Sequence, residues 1–268
     1  MYTLEKLSGM EQKLYFTLEA EDERVVNAKR AMKILNVSQM HAYNLLKSMY
    51  EKGALDKVKS NLYVRVPAHI VHNRGNYIED PIIVAKNITV PYFFSYYTAL
   101  SLHGLAQQYT RTFYISTIRP IRKITYHGNV IRPVTLIQKR FFGFREMKYE
   151  NEKVMASDLE RTVVDVVDRP EYAGGYEEIF RCMLDVEKLN WQQLLTYIDK
   201  MEEKILVNRL GYLFELLRKQ VHTPDFFLKS LQKRISENIY SFEQRSGTFN
   251  RKWRIIVDER LEKAVEAG

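Results

Sequence analysis

Three amphipathic helical patterns followed by two short strands occupy the first 67 residues, and they restrict the N-terminal part of this chain to very few folds. Apolar residues recur at helical spacing from Ser8 to Glu19, from Val25 to Leu35 and from Ser38 to Lys52. Asn36 suits the left-handed end of the second helix, and Ser38 is a good N-cap for the third. The sequence therefore predicts a helix followed by two further helices that are joined by a tight turn.

The third helical pattern has two chemically different faces. At 100° per residue, Ala42, Leu45, Leu46 and Met49 gather on one side, where they should pack on the first two helices. The other side carries donors and acceptors that can reach base edges in a major groove. We therefore predict a base-reading helix whose contacting residues are Gln39, Met40, His41, Tyr43, Asn44, Lys47 and Ser48.

A short hairpin follows this helix. Gly53 ends the helix, and strands are predicted from Ala54 to Val58 and from Leu62 to Val66. A basic hairpin in this place is typical of the wing in a winged helix-turn-helix, and its polar residues would meet phosphates. The predicted wing contacts are Lys57, Lys59, Ser60, Asn61 and Arg65. Because some winged helices bind proteins, an interaction module without a DNA target stays open as an alternative.

Positive charge is concentrated in blocks along the 268 residues, whose net charge is +8. Residues 24 to 65 hold nine Lys and Arg against two acids, and residues 111 to 148 hold nine against one. Residues 149 to 217 reverse the sign, with fifteen acids and eight bases. The first block coincides with the helix-turn-helix pattern, which favours double-stranded DNA as the partner. The second block is a candidate second basic surface formed by Arg111, Arg119, Arg122, Lys123, Arg132, Lys139 and Arg140.

The sequence predicts a larger α+β body for the rest of the chain. We predict a connector over residues 68–90 with a short strand from Ile82 to Ala85. The stretch from Pro91 to Leu105 is predicted to hold a buried helix, with Ser95 or Tyr96 near its start and Gly104 at its end. Strand patterns and a His127-Gly128-Asn129 hairpin turn follow up to Tyr149, and mainly helical patterns come after them. The predicted fold class is α+β: an N-terminal winged helix-turn-helix at 1–67, and a body at 91–268 with a mostly antiparallel sheet and a helical C-terminal half.

The sequence lacks the motifs that several classes of enzyme and metal-binding protein require. No phosphate-binding GxxxxGK or GxGxxG loop occurs, and the six histidines do not pair with cysteine or glutamate at zinc spacing. Cys182 is predicted to be a core residue, and His103 a histidine satisfied at a helix C-terminus. These missing motifs lead us to expect no cofactor and no metal. No apolar run is long enough for a membrane span and no signal peptide is visible, so we expect a cytoplasmic protein.

One enzymatic alternative remains. Glu146-Met147-Lys148 has the acidic-x-Lys form found in restriction-type nucleases, but Mg²⁺ wants more than one anionic ligand, and no Asp or Glu lies between Asp80 and Glu146. A later acidic helix holds Asp158, Glu160, Asp165 and Asp168, for which Arg161 and Arg169 predict a solvated, paired face. We therefore expect no enzyme and keep the nuclease as the alternative.

Three stretches of the chain resemble the AbiEi-type antitoxins, the transcriptional regulators of AbiE toxin–antitoxin and phage-defence systems. They are the predicted winged helix-turn-helix, the segment from Ser95 to Leu105 with Phe113-Tyr-Ile-Ser-Thr117 after it, and Met155-Ala-Ser-Asp-Leu-Glu-Arg-Thr-Val-Val-Asp165. Leu159 departs from the small residue or proline that the family usually has before Glu-Arg-Thr. The resemblance implies an antitoxin that represses its own operon by binding inverted repeats. It also implies a monomer or weak dimer that binds DNA cooperatively and counters a nucleotidyltransferase toxin, with direct contact left open.

Overall fold

The chain is an α+β protein that divides into two compact units, Met1–Thr89 with Arg122–Ile131, and Val90–Ile121 with Arg132–Gly268. The computed structural model describes residues 4–73, 77–88, 90–106, 108–242 and 247–258. The division places the segment 122–131 with the N-terminal residues, although it is far from them in sequence.

The helices of the described residues are α1 (Gly9–Ala20), α2 (Ala28–Leu35), α3 (Gln39–Glu51), α4 (Ala68–Asn73), α5 (Pro81–Lys86), α6 (Tyr96–Leu102), α7 (Leu159–Asp168), α8 (Tyr176–Leu184), α9 (Trp191–Met201), α10 (Lys204–Leu216) and α11 (Asp225–Gln232). The strands are β1 (Val25–Val26), β2 (Leu55–Lys59), β3 (Leu62–Arg65), β4 (Tyr92–Phe94), β5 (Thr112–Thr117), β6 (Ile124–Tyr126), β7 (Asn129–Thr135), β8 (Phe144–Tyr149), β9 (Glu152–Ser157), β10 (Tyr240–Ser241), β11 (Thr248–Asn250) and β12 (Ile255–Val257).

The first three helices begin and end where side chains satisfy their terminal backbone groups. Ser8 and Glu11 form a reciprocal capping box at the start of α1. The side chain of Asn27 accepts a hydrogen bond from the Arg30 amide at the start of α2. The second helix therefore starts three residues later than the sequence pattern suggested, because Val25–Val26 forms β1 and pairs antiparallel with β3.

A small antiparallel sheet of order β1-β3-β2 covers these helices. Leu14, Leu46 and Met49 are fully buried in the core between the helices. The hydroxyl of Tyr15 donates to the carbonyl oxygen of Val66 at 2.6 Å, so α1 is joined to the end of the hairpin by a buried hydrogen bond. The apolar face predicted for α3 is buried as expected.

Segment 122–131 contributes a hairpin to the same unit. β6 and the first residues of β7 pair antiparallel, with Tyr126 opposite Asn129. His127 and Gly128 both have positive φ, 44° and 79°, which is the backbone that a two-residue hairpin turn requires. The hairpin turn predicted from His127-Gly128-Asn129 is therefore present.

In the second unit, the remainder of β7 continues a sheet of order β7-β5-β4-β9-β8. β4 pairs antiparallel with β5 and parallel with β9, and β8 pairs antiparallel with β9. Phe93 and Phe94 on β4 are completely buried at the centre of the sheet. A second small sheet of order β10-β12-β11 follows the helices α8 to α11, and completely buried Trp253 lies just before β12.

The strand predicted from Ile82 to Ala85 is wrong. This apolar run is helical, because Asp80 caps α5 through the Ile82 amide and Pro81 occupies the first turn. The helix predicted within the stretch from Pro91 to Leu105 is present as α6, with Ser95 at its N-cap position, and β4 precedes it at Tyr92–Phe94. No helix among the described residues is long and apolar enough to cross a membrane.

Candidate nucleic-acid interface

The face of α3 opposite its buried side is open to solvent. Gln39, Met40, His41, Asn44 and Lys47 are exposed, and Met40 keeps 69% of its surface accessible. The two other predicted contacts, Tyr43 and Ser48, are half-buried. The fold thus brings all seven predicted residues of the base-reading helix onto its outer side and flank.

Local hydrogen bonds fix how α3 begins. Asn36 adopts the left-handed conformation with φ of 54° and donates its amide to the Met32 carbonyl. Ser38 accepts the amide of His41 at 3.3 Å, and Val37 packs against the core of the unit. Because both caps are built from the turn itself, the N-terminal residues of α3 have a fixed direction relative to α2.

The hairpin after α3 keeps three of its predicted contacts at the surface. Lys57, Lys59 and Ser60 are exposed. Asn61 is at the tip with φ of 59°, but its side-chain oxygen accepts the amide of Ala28 at 2.7 Å. Asn61 therefore helps to hold the start of α2, and only its remaining polar atoms are available to a ligand.

Arg65 is not where the sequence analysis expected it, because it is buried, with 7% of its surface exposed. Its guanidinium donates to the Glu23 carbonyl and to the Glu19 carboxylate, each at 3.3 Å, and stands over the ring of Tyr15. The positive charge of Arg65 is therefore paired within the first unit. The prediction that Arg65 contacts phosphate is therefore corrected to a structural role.

The hairpin 122–131 adds exposed cations to the first unit. Arg122 and Lys123 are exposed at its base. At its tip, Nε2 of His127 lies 2.6 Å from the carboxylate of Asp56 on β2. Tyr126 accepts the Glu79 amide at 3.3 Å through its hydroxyl. Arg122, Lys123 and the turn could be predicted from the local sequence, but the unit that the hairpin joins could not.

The other members of the predicted second basic surface lie in the second unit and differ in their environment. Arg111, Arg119 and Arg132 are exposed. Lys139 pairs with Glu202, whereas half-buried Arg140 pairs with Glu203 and donates to the Met201 carbonyl at 2.9 Å. Because Arg140 is half-buried and bonded within the unit, we remove it from the candidate surface, whereas Lys139 stays exposed in a surface pair.

The acidic helix α7 is paired, but it is not the solvated face that the sequence suggested. Arg161 and Asp165 are both buried, and Nε of the arginine donates to the carboxylate at 2.9 Å. The same guanidinium donates to the carbonyls of Arg140 and Phe142, at 2.8 and 3.0 Å, and stands 4.3 Å from the Phe142 ring centre. Burial raises the pKa of Asp165 to about 6, even though Arg161 opposes that shift.

Polar residues close to Arg161 in the sequence also form hydrogen bonds within the second unit. The N-cap of α7 is Asp158, which accepts the Arg161 amide at 2.8 Å. The hydroxyls of Ser157 and Thr162 lie 2.7 Å apart in the interior. Glu160 accepts the amide of Asn190 at 2.6 Å, ahead of α9.

The remaining candidates for chemistry have structural partners. His103 is the C-cap of α6, its Nε2 lies 2.9 Å from the Ser157 carbonyl oxygen, and burial lowers its pKa. Cys182 is buried in the core of the second unit. Glu146 on β8 pairs with Lys153 at 2.7 Å. Within the described part of the chain, no group of three His, Cys, Asp or Glu residues is arranged to hold a metal ion.

Taken together, the two units and their mixed sheets define an α+β protein, whose first unit holds the helices α1 to α5, the sheet β1-β3-β2 and the hairpin 122–131. Residues 94–216 match the family model of the AbiEi antitoxin C-terminal domain, so the resemblance to AbiEi-type antitoxins is confirmed over that segment. In fold, the chain is similar to the RV2827C protein from Mycobacterium tuberculosis, with a TM-score of 0.70 at 12% identity over 98% of this chain and 95% of that chain. No curated protein matches the sequence.

Proposed function

We propose that the first unit is a winged helix-turn-helix that binds double-stranded DNA sequence-specifically through α3. The observation that carries this proposal is the exposed polar face of α3, directly opposite the face buried in the core. Asn44 and Lys47 on this face supply the donors and the acceptor that base edges and phosphates require. Lys57 and Lys59 at the hairpin supply charge for the DNA backbone.

We further propose that the chain is the antitoxin of an AbiE-like toxin–antitoxin system that represses its own operon. The family match of residues 94–216 supports the antitoxin role. Binding to inverted repeats in its own promoter, cooperative binding by a monomer or weak dimer, and action against a nucleotidyltransferase toxin are parts of the same proposal.

A binding assay on the upstream region of the chain's own gene tests the DNA-binding proposal. Fluorescence anisotropy with the full chain should show salt-sensitive binding that is stronger than binding to a scrambled duplex. Asn44→Ala with Lys47→Ala should weaken specific binding by about 10-fold or more, since one base contact is worth about 1–3 kcal/mol. Lys57→Ala should weaken specific and scrambled duplexes alike and reduce the salt slope by about 1.

A matched control distinguishes the loss of a base contact on α3 from the loss of one positive charge elsewhere in the unit. Lys13 on α1 is exposed and its replacement by alanine removes one positive charge from the same unit, so Lys13→Ala should retain most of the specific affinity. Full affinity in the Asn44, Lys47 double variant would refute the role of α3. Absence of any DNA binding by the wild-type chain would instead favour a protein-interaction module.

A further inference from the structure

One side chain on the exposed face of α3 differs from the polar residues around it. Met40 is the second residue of the helix and keeps 69% of its surface accessible. At 100° per residue it points about 180° away from Met49, which is fully buried in the core. Burying an apolar side chain of this size is favourable, yet the folded unit leaves most of Met40 in water. Packing within the unit therefore gives no reason for a methionine at this position.

The surroundings of Met40 are not those of a protein-binding patch. The exposed residues beside it on the helix are Gln39, His41 and Asn44. Val37 and Tyr43, three residues to either side, pack against the core of the unit. Surfaces that bind other proteins have a contiguous apolar patch at their centre. Met40 is instead a single apolar side chain within a polar face, which favours a ligand that is mostly polar and has one apolar group.

The major groove of DNA offers such a group. Methionine has no hydrogen-bond donor and only a weak acceptor, so it cannot read the polar edges of the bases. The C5 methyl of thymine is the apolar group that distinguishes base pairs in this groove. In helix-turn-helix proteins the N-terminal residues of the recognition helix contact the base edges, and Met40 lies at that end of α3. A thymine methyl would therefore give Met40 an apolar contact that the free protein lacks.

Asn44 extends the same row of the helix by one turn. It is exposed and lies four residues after Met40, on the same side of α3. A side-chain amide can accept from N6 and donate to N7 of adenine. Four helical residues rise about 6 Å and successive base pairs are about 3.4 Å apart, so the two side chains would reach bases at most about two steps apart.

From these observations we infer that Met40 is a specificity-determining residue that contacts the C5 methyl of a thymine in the DNA site, with Asn44 on an adenine within about two base pairs. The inference rests on the DNA-binding proposal above and names the bases that α3 reads. It can fail alone: a chain that binds its site without sensing any thymine methyl keeps the DNA-binding proposal and loses this one.

Deoxyuridine substitution tests the contact on the DNA side. Deoxyuridine pairs with adenine as thymidine does and lacks only the C5 methyl, so each replacement removes one apolar group from the groove. Fluorescence anisotropy of the full chain is measured on duplexes of its upstream region in which single thymines are replaced one at a time. At least one replacement should weaken wild-type binding by about 4-fold, the loss expected when one methyl group is no longer buried.

Met40→Ala tests the same contact on the protein side. Alanine is a good helix former at this exposed position, so the variant should fold. It should bind the thymine duplex more weakly than the wild type does. It should also bind the thymine and deoxyuridine duplexes with equal affinity, because both changes remove the same contact. Met10→Ala is the matched control, since Met10 is an exposed methionine on α1 of the same unit, and it should keep the 4-fold difference.

The outcomes separate this inference from the proposal on which it rests. If the wild-type chain binds the upstream region but no deoxyuridine replacement weakens binding, the thymine contact is wrong and DNA binding stands. The contact is equally wrong if Met40→Ala keeps the sensitivity to deoxyuridine. A Met40→Ala variant that changes the oligomeric state in analytical ultracentrifugation and keeps that sensitivity would assign Met40 to a contact between copies. If the wild type binds no duplex, both proposals fail.

Discussion

Replacing Arg161 by methionine should destabilise the second unit more than almost any other single loss of charge in it. Methionine keeps much of the aliphatic volume over Phe142, but it removes the guanidinium that bonds Asp165 at 2.9 Å and two backbone carbonyls at 2.8 and 3.0 Å. Both partners of the ion pair are buried. Removing one partner of a buried pair costs about 3–5 kcal/mol, because the other charge is left without compensation.

Urea unfolding followed by tryptophan fluorescence measures this cost. The chain has two tryptophans, Trp191 and Trp253, and both lie in the second unit, so the signal reports that unit. Arg218→Met is the matched control, since Arg218 also pairs with an aspartate, Asp225, but both side chains are about half exposed or more. Such a surface pair is worth about 0–1 kcal/mol. Equal losses in the two variants would refute the reasoning that burial decides the cost.

Two further predictions concern the same unit. In Gly211→Ala the new Cβ would lie 2.1 Å from Cε3 of Trp253, so overpacking of about 1–3 kcal/mol should outweigh a gain in helix propensity of at most about 1 kcal/mol. Urea unfolding followed by tryptophan fluorescence should show a net loss, and a more stable Gly211→Ala variant would contradict the packing of Trp253 on α10. Because the folded pKa of Asp165, about 6, exceeds its ordinary value of 3.8, its stabilising contribution is fully present below about pH 4 and is lost as pH rises through 6. The stability of the wild type relative to Asp165→Asn should therefore fall between pH 4 and pH 7, and a difference that is constant with pH would contradict the shifted pKa.

The elements of the first unit could be predicted where their causes are local. Asn36 and Ser38 end one helix and start the next through bonds within a few residues, and the apolar spacing of α3 indicates its buried face. The strand Val25–Val26 could not be predicted in this way, because its partner, β3, begins some 36 residues later in the chain. A two-residue strand has no periodicity of its own.

The sequence does not tell which basic residues near the candidate site are buried, and the prediction for Arg65 is wrong for that reason. Arg65 and Lys57 look alike in a charge count, yet one is enclosed by Glu19, Glu23 and Tyr15 while the other faces solvent. The alternation of a strand gives the side on which a residue lies but not what packs against that side. The acidic stretch Glu21-Asp22-Glu23 gives no signal for Arg65, because the carboxylates of Glu21 and Glu23 pair with Arg30, and within this stretch Arg65 bonds only the backbone carbonyl of Glu23.

The short apolar run from Ile82 to Ala85 shows a different limit. Four consecutive apolar residues fit a buried strand and a buried helix equally well. The preceding Asp80-Pro81 is the start signal of a helix, and the structure uses it as such. Here the information was present in the sequence, and greater weight on the capping residues than on β-branched composition gives the observed element.

The segment Met155–Asp165, which resembles the AbiEi-type antitoxins, consists largely of residues that hold the second unit together. Asp158 caps α7, Glu160 bonds the amide ahead of α9, and Arg161 with Asp165 forms the buried pair. These side chains are occupied within the unit, so they have little left with which to contact a partner. Under the proposed antitoxin function, the residues that act against a toxin should therefore be sought among exposed positions outside this segment.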